Sequence, residues 1–253
     1  MKLSVRLLLG LCLAGASAHA QTSNIVNMPV TQRDYSKEGT NDYANLSNLT
    51  NGATHLLTRR TNTIGSPYAD NRWLTAHVTL ANKQALLPML LKYDVLDRAL
   101  LMRKAAPSQD SVELNDSKVA SFVLDEPASA LGPARQRRFR RFEEGPAARQ
   151  RDYVEVLHEG RYALLKHYLK EIKREGFGGM YSNGAPTDEI EDASVYFLRS
   201  PEGTLTPVKL TLKALQTAAP ALAEPLKAAA AAQKPRSEAG WGAVLDAADP
   251  AAK

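Results

Sequence analysis

Arg135-Gln136-Arg137-Arg138-Phe139-Arg140-Arg141-Phe142 is the densest chemical feature of this chain. Its five arginines carry planar guanidinium forks that could grip phosphates, lipid headgroups or acidic polysaccharide. Phe139 and Phe142 would add apolar surface between the charges. The competing reading is structural: a charged strand or loop on which Phe139 or Phe142 tucks into the core. Glu143 and Glu144 follow directly and offset part of the charge. Arg135, Arg137, Arg138, Arg140, Arg141, Phe139 and Phe142 are therefore the candidate anion-binding residues.

Other residue types with chemical potential are dispersed. His158 and His167 fall on one expected hairpin, His158 at the turn and His167 about six residues down the returning strand. At roughly 3.3 Å per residue that separates them by about 20 Å, too far to share one ion. His77 falls on the polar side of an alternating run and reads as a surface residue. Asp188, Glu189, Glu191 and Asp192 follow the glycine-rich stretch 176–184 but lack the rhythm and the glycine of a calcium loop. A solvated loop is the expectation there. The chain has no Gly-Lys-Ser/Thr, Gly-x-Ser-x-Gly, Ser-x-x-Lys or His-Glu-x-x-His. The expectation is no catalytic constellation, no metal and no organic cofactor.

The first twenty residues point to export. Lys2 and Arg6 precede the short apolar run Leu7-Leu8-Leu9-Gly10-Leu11-Cys12-Leu13-Ala14, and Ala18-His19-Ala20 supplies a small-x-small cleavage pattern. Cleavage between Ala20 and Gln21 is expected, with the product periplasmic or secreted. Cys12 is the sole cysteine. Leu11 precedes it where a lipoprotein signal needs a small residue, so lipidation is the weaker reading. The cleaved chain would hold no cysteine, which excludes disulfides, iron–sulfur clusters and a cysteine nucleophile. Its formal charge would fall from +5 to +3, because residues 1–20 contain no Asp or Glu. That is only mildly basic, and nucleic acid is disfavoured as a partner. No later stretch is apolar enough for a transmembrane span.

The remaining chain divides by pattern. Residues 21–64 are polar and rich in Asn, Thr and Ser, too poor in bulky apolar side chains to offset ordering entropy. A loosely ordered segment is expected, with a single strand near 53–57. Residues 65–210 change to period two. In Leu74-Thr75-Ala76-His77-Val78-Thr79-Leu80 apolar and polar residues alternate, the signature of a half-buried strand. A second run to Tyr93 contains Pro88, which should break it or hold it at an edge. Residues 100–103 and 119–124 read as further strands. His158-Glu159-Gly160 and Pro201-Glu202-Gly203 read as hairpin turns in which glycine takes a positive φ. Residues 161–172 could continue as strand or as helix, the strand being preferred. About eight strands in a meander should form a sandwich or open barrel, a mainly β fold, with α+β the alternative. In residues 211–253 the period becomes helical. Thr211, Pro220 and Ser237 can each start a short helix, although the Ala- and Pro-rich composition also suits a tail.

Gly65-Ser66-Pro67-Tyr68 ahead of Trp73, Leu91-Lys92-Tyr93-Asp94, and Tyr153-Val154-Glu155-Val156-Leu157 followed by Gly160-Arg161 and Leu164-Leu165-Lys166 resemble a family of exported proteins of unknown function from Bacteroidetes-type bacteria. The resemblance spans roughly 65–245 and includes the closing short helices. It implies the β-rich fold and the export, and it brings no catalytic residues. The expected role is non-catalytic binding or structure in the cell envelope. Acidic envelope glycan, lipid headgroups or another envelope protein are the candidate partners. A small envelope-polymer hydrolase with an unmarked Asp/Glu site is the alternative.

Overall fold

The computed structural model describes residues 49–50, 54–55, 63–103, 111–130, 132–174 and 188–249. All of these belong to one compact unit, Asn41–Lys253. The expected leader, most of the polar segment 21–64 and the glycine-rich stretch 176–184 lie outside the described residues.

The described chain is mainly β, as its alternating runs require. Fourteen strands are found among the described residues: β1 (Thr54–His55), β2 (Thr63–Gly65), β3 (Leu74–Leu80), β4 (Met89–Asp94), β5 (Ala99–Arg103), β6 (Ser111–Leu114), β7 (Val119–Glu126), β8 (Arg135–Arg141), β9 (Tyr153–Glu159), β10 (Ala163–His167), β11 (Lys170–Arg174), β12 (Asp188–Asp192), β13 (Val195–Arg199) and β14 (Leu205–Val208). Eleven form one antiparallel sheet in the order β1-β6-β5-β4-β3-β7-β8-β9-β10-β13-β14. The other three make a small sheet, β11-β12-β2, whose β12–β2 pair is parallel. Pro88 stands immediately before β4 and ends the preceding run, because proline has no N–H for the ladder. Pro207 sits in β14, the edge strand, where that missing donor is harmless.

The large sheet is curled rather than flat. Tyr93 on β4 and Tyr153 on β9 lie on strands four places apart, which would separate them by about 19 Å in a flat sheet. Their rings nevertheless meet edge to face with centroids 5.6 Å apart. Phe122 and Phe139 stack at 4.7 Å inside the same curl. Leu74, Ala76 and Val78 of β3, Leu91, Leu100, Met102 and Leu114 close this concave core. The two edge strands do not pair, so no closed barrel forms.

Residues 161–172 follow the strand reading. Three expectations need correction. The carboxylates 188–192 are not a loop: they form β12, laddered to β11 with Ile190 buried between them. Gly160 does not take a positive φ, whereas Gly203 does, at 84°. Glycine is required at 160 for space, since a Cβ there would lie 2.7 Å from the Asp249 carbonyl oxygen and 2.9 Å from His158 Nε2. The strands also outnumber the eight expected: β6, β8, β11 and β12 form from polar or charged stretches within the β region, and β1 and β2 precede it.

The C-terminal segment forms three short helices in its described part. Helix α1 (Leu212–Ala218) is capped by Thr211, whose side chain accepts from the Ala214 N–H. Pro220 opens a short 3-10 turn that runs into α2 (Ala223–Gln233). That helix ends on Lys234 in the left-handed conformation, followed by Pro235. Ser237 caps α3 (Glu238–Ala248) by accepting from the Gly240 N–H. Leu215, Leu222, Leu226, Val244 and Leu245 pack on Tyr162, Leu164 and Leu198. The helices therefore cover β10 and β13 rather than trailing as a tail. No helix among the described residues is long and apolar enough to cross a membrane.

Candidate functional site: the arginine-rich strand

The arginine array is β8, an interior strand held between β7 and β9. Strand alternation therefore decides its chemistry, sending odd and even residues to opposite faces. Arg137 and Phe139 point into the concave core and are buried, while Gln136 and Arg138 are exposed on the other face.

Arg137 is the centre of a buried polar cluster. Its Nε and Nη2 donate to the two carboxylate oxygens of Glu155 at 3.1 and 2.9 Å, the bidentate geometry that suits a guanidinium. Its Nη1 donates to Asp70 at 3.0 Å, and Nη2 also reaches the Tyr168 hydroxyl at 2.6 Å. That hydroxyl donates in turn to Glu155 at 2.5 Å. Burial and the Glu155 charge push the Tyr168 phenol well above its usual range, so it stays a donor. Burial alone would lower the Arg137 guanidinium, but Glu155 outweighs it and holds the charge. The Asp70 carboxyl is likewise raised by burial, yet hydrogen bonds from Arg72 and the Arg137 charge bring it below the ordinary range. Lys166 extends the cluster toward α3. It donates to Glu238 at 2.7 Å, and Glu238 also accepts from Tyr196 at 2.5 Å.

The two ends of β8 are tied off as well. Arg135 donates to Glu126 at 2.7 Å. Arg141 packs over the Tyr153 ring at 4.1 Å and donates to Asp116 at 2.9 Å, to the Val119 carbonyl, and to the carbonyls of Asp116 and Arg151. It lines a cleft of about 780 Å³ with Asn115, Asp116, Ser117, Gln150 and Arg151. On the opposite face Arg140 makes a bidentate pair with Glu144 at 2.7 and 2.8 Å. Arg138 is exposed and has no ion pair among the described residues. Phe142 is fully buried in a separate core against Phe197 and His167.

The seven candidates thus do not share one surface. Arg135, Arg137, Phe139 and Arg141 lie on the concave side, Arg138 and Arg140 on the other, and Phe142 in a core of its own. The structural role foreseen for the phenylalanines holds for both. Sequence reading passed over Glu155, Asp70, Tyr168, Lys166 and Glu238. The signal for Glu155 was a lone carboxylate inside the otherwise apolar run Tyr153-Val154-Glu155-Val156-Leu157.

Three histidines are partnered by carboxylates. His77 pairs with Asp125 at 2.8 Å on the exposed face, and buried His167 pairs with buried Asp152 at 2.9 Å. His158 meets Asp246 at 2.6 Å. A bulge explains its direction: pairing passes from Leu165↔Val156 to Leu164↔His158, leaving Leu157 extra and turning His158 toward the helices. No group of three metal-ligating side chains occurs among the described residues. Comparison with protein-family models, curated proteins and solved structures gives no match for this chain.

Proposed function

We propose that the protein is an exported, non-catalytic binding or structural protein of the bacterial cell envelope. Supporting this is the mutual neutralisation of its interior charges. The two carboxylates that face each other across the concave side, Asp70 and Glu155, are clamped on one guanidinium, Arg137. A hydrolytic pair needs one carboxyl free to carry a proton and another open to the substrate. Here both are committed to holding strands together, as expected of a stiff scaffold. The leader-like pattern of residues 1–20 supports the cellular address, and exposed Arg138 supplies outward charge for an acidic partner.

The reading needs no cofactor, which metal analysis of protein purified without added ions would check. Its central test has two arms. Intact-mass measurement of the protein recovered from periplasm or medium should give an N-terminus at Gln21. Retention on acidic envelope polysaccharide should weaken with salt and fall in Arg138→Ser, because exposed charges are screened within about 8–10 Å at physiological ionic strength. Shortening of the polysaccharide by the purified protein, or recovery of the chain with residues 1–20 attached, would overturn the proposal.

A further inference from the structure

Across β3, β4 and β5, on the face opposite the concave core, aromatic rings and cations lie against one another. Register places them together: Leu90 lies opposite both Thr75 and Arg103, and Lys92 lies opposite Leu101. Trp73 precedes Thr75 by two residues and so shares its face. Lys92 Nζ stands 4.5 Å from the centroid of the Tyr68 ring and 5.0 Å from that of Trp73. The Arg103 guanidinium stands 4.9 Å from the Trp73 ring.

What sets this stack apart is that neither cation sits against a carboxylate. Arg137, Arg140, Arg141 and Lys166 each lie against a carboxylate. Lys92 and Arg103 have no ion pair among the described residues, and Arg103 Nε is buried without a hydrogen-bond partner. Buried donors are normally satisfied, so this one points to a group that binds there. Burial and the neighbouring Arg103 charge lower the Lys92 ammonium, and the Asp70 charge offsets only part of this. Tyr68, Trp73 and Lys92 are each partly exposed, and Leu90 beside them is 37 % exposed. Aromatic faces attract cations and equally the polarised C–H groups of a sugar ring, because their quadrupole is negative over the face.

We propose that Tyr68, Trp73, Lys92 and Arg103 form a binding site for an acidic sugar, whose carboxylate bridges Lys92 and Arg103 while its ring lies on the apolar surface of Trp73 and Leu90. This rests on the reading of the protein as a non-catalytic binding module, and it names the ligand class and the place.

The test is a fluorescence titration of the full-length protein carrying Trp241→Phe, which leaves Trp73 as the only indole. Trigalacturonate should give a saturable change, and neutral trigalactoside and acetate should give none at the same concentration. Lys92→Gln and Arg103→Gln should each weaken binding about tenfold or more, the size of one charge-assisted hydrogen bond. Circular dichroism checks that the variants fold. Should either fail to fold, raising the salt with the Trp241→Phe protein must weaken binding. No saturable change, an equal response to neutral sugar or acetate, an unchanged response in the folded variants, or no salt dependence would overturn the proposal. Mass spectrometry of the recovered sugar separates the two readings: shortened sugar overturns the non-catalytic reading and leaves the site in place.

Discussion

A guanidinium as deeply buried as that of Arg137, 5 % exposed beside a Glu155 that is 1 % exposed, survives only because each donor has an acceptor. Taking two charges out of water costs several kcal/mol per ion, and their attraction repays this only with good geometry and further hydrogen bonds. Tyr168 and Asp70 supply those bonds. Removing one partner leaves the other charge stranded, whereas removing both takes away the pair together and leaves Asp70 on Arg72. Arg137→Met is therefore expected to cost about 3–5 kcal/mol, Glu155→Leu about the same, and the double variant clearly less than their sum. Urea unfolding of the four proteins measures the coupling. Single variants within about 0.5 kcal/mol of the parent, the range of ordinary surface changes, would show that the cluster is not structural.

At the level of elements, the seam between α3 and the β9–β10 hairpin is held by Asp249 just beyond the helix end. Its carboxylate accepts from the Tyr162 N–H at 2.7 Å and from Arg161 at 3.1 Å, and lies 3.5 Å from His158 Nε2. Burial alone would raise this carboxyl, but the Tyr162, Arg161 and His158 contacts outweigh it and hold it below the ordinary aspartate range. The unfolded chain then takes up the proton more readily than the folded one. Stability from this group is full above the unfolded pKa, near 4, and is lost as pH falls through the lower folded value. Thermal unfolding across pH should show a melting temperature that drops below about pH 4. In Asp249→Asn the neutral-pH value should be lower and the acid drop smaller. An unchanged acid profile in that variant would remove Asp249 from the account. Much of this seam was readable in advance: Thr211, Pro220 and Ser237 begin their elements as their side-chain chemistry demands. Gly160 was located, but its reason was not, because the turn needed room for Asp249 and no local pattern reports a residue 89 positions away.

For the whole molecule, an open, curled sheet implies a gradient of stability. The interior strands β3, β7, β8 and β9 share the aromatic core of Tyr93, Phe122, Phe139 and Tyr153, and each is laddered on both sides. The edge strands β1 and β14 are laddered on one side only. Native-state hydrogen exchange should find the slowest amides in β3 and β7–β9 and faster exchange in β14, since local opening frees edges first. Slowest exchange in β14 or in α1 would mean that cohesion lies in the helical layer instead.

The sequence by itself determined the alternating strands such as β3 and the starts of the C-terminal helices, because alternation, turn residues and caps act over a few positions. It determined that 65–210 would be β-rich, and it offered core burial of Phe139 or Phe142 as one of two readings. Only the tertiary structure decided what the five arginines do. Their spacing is one continuous run on paper, but β8 lies between two other strands, and alternation then splits the run between opposite faces. Which carboxylates each arginine meets depends on neighbours as distant as Asp70 and Glu155, brought close by the curl of the sheet. The same holds for Lys92 and Arg103, eleven residues apart in sequence and drawn to one indole ring by the β4–β5 register. Local free-energy preferences are written in neighbouring residues; charge compensation is a property of who packs against whom, and that is settled only when the sheet closes over its core.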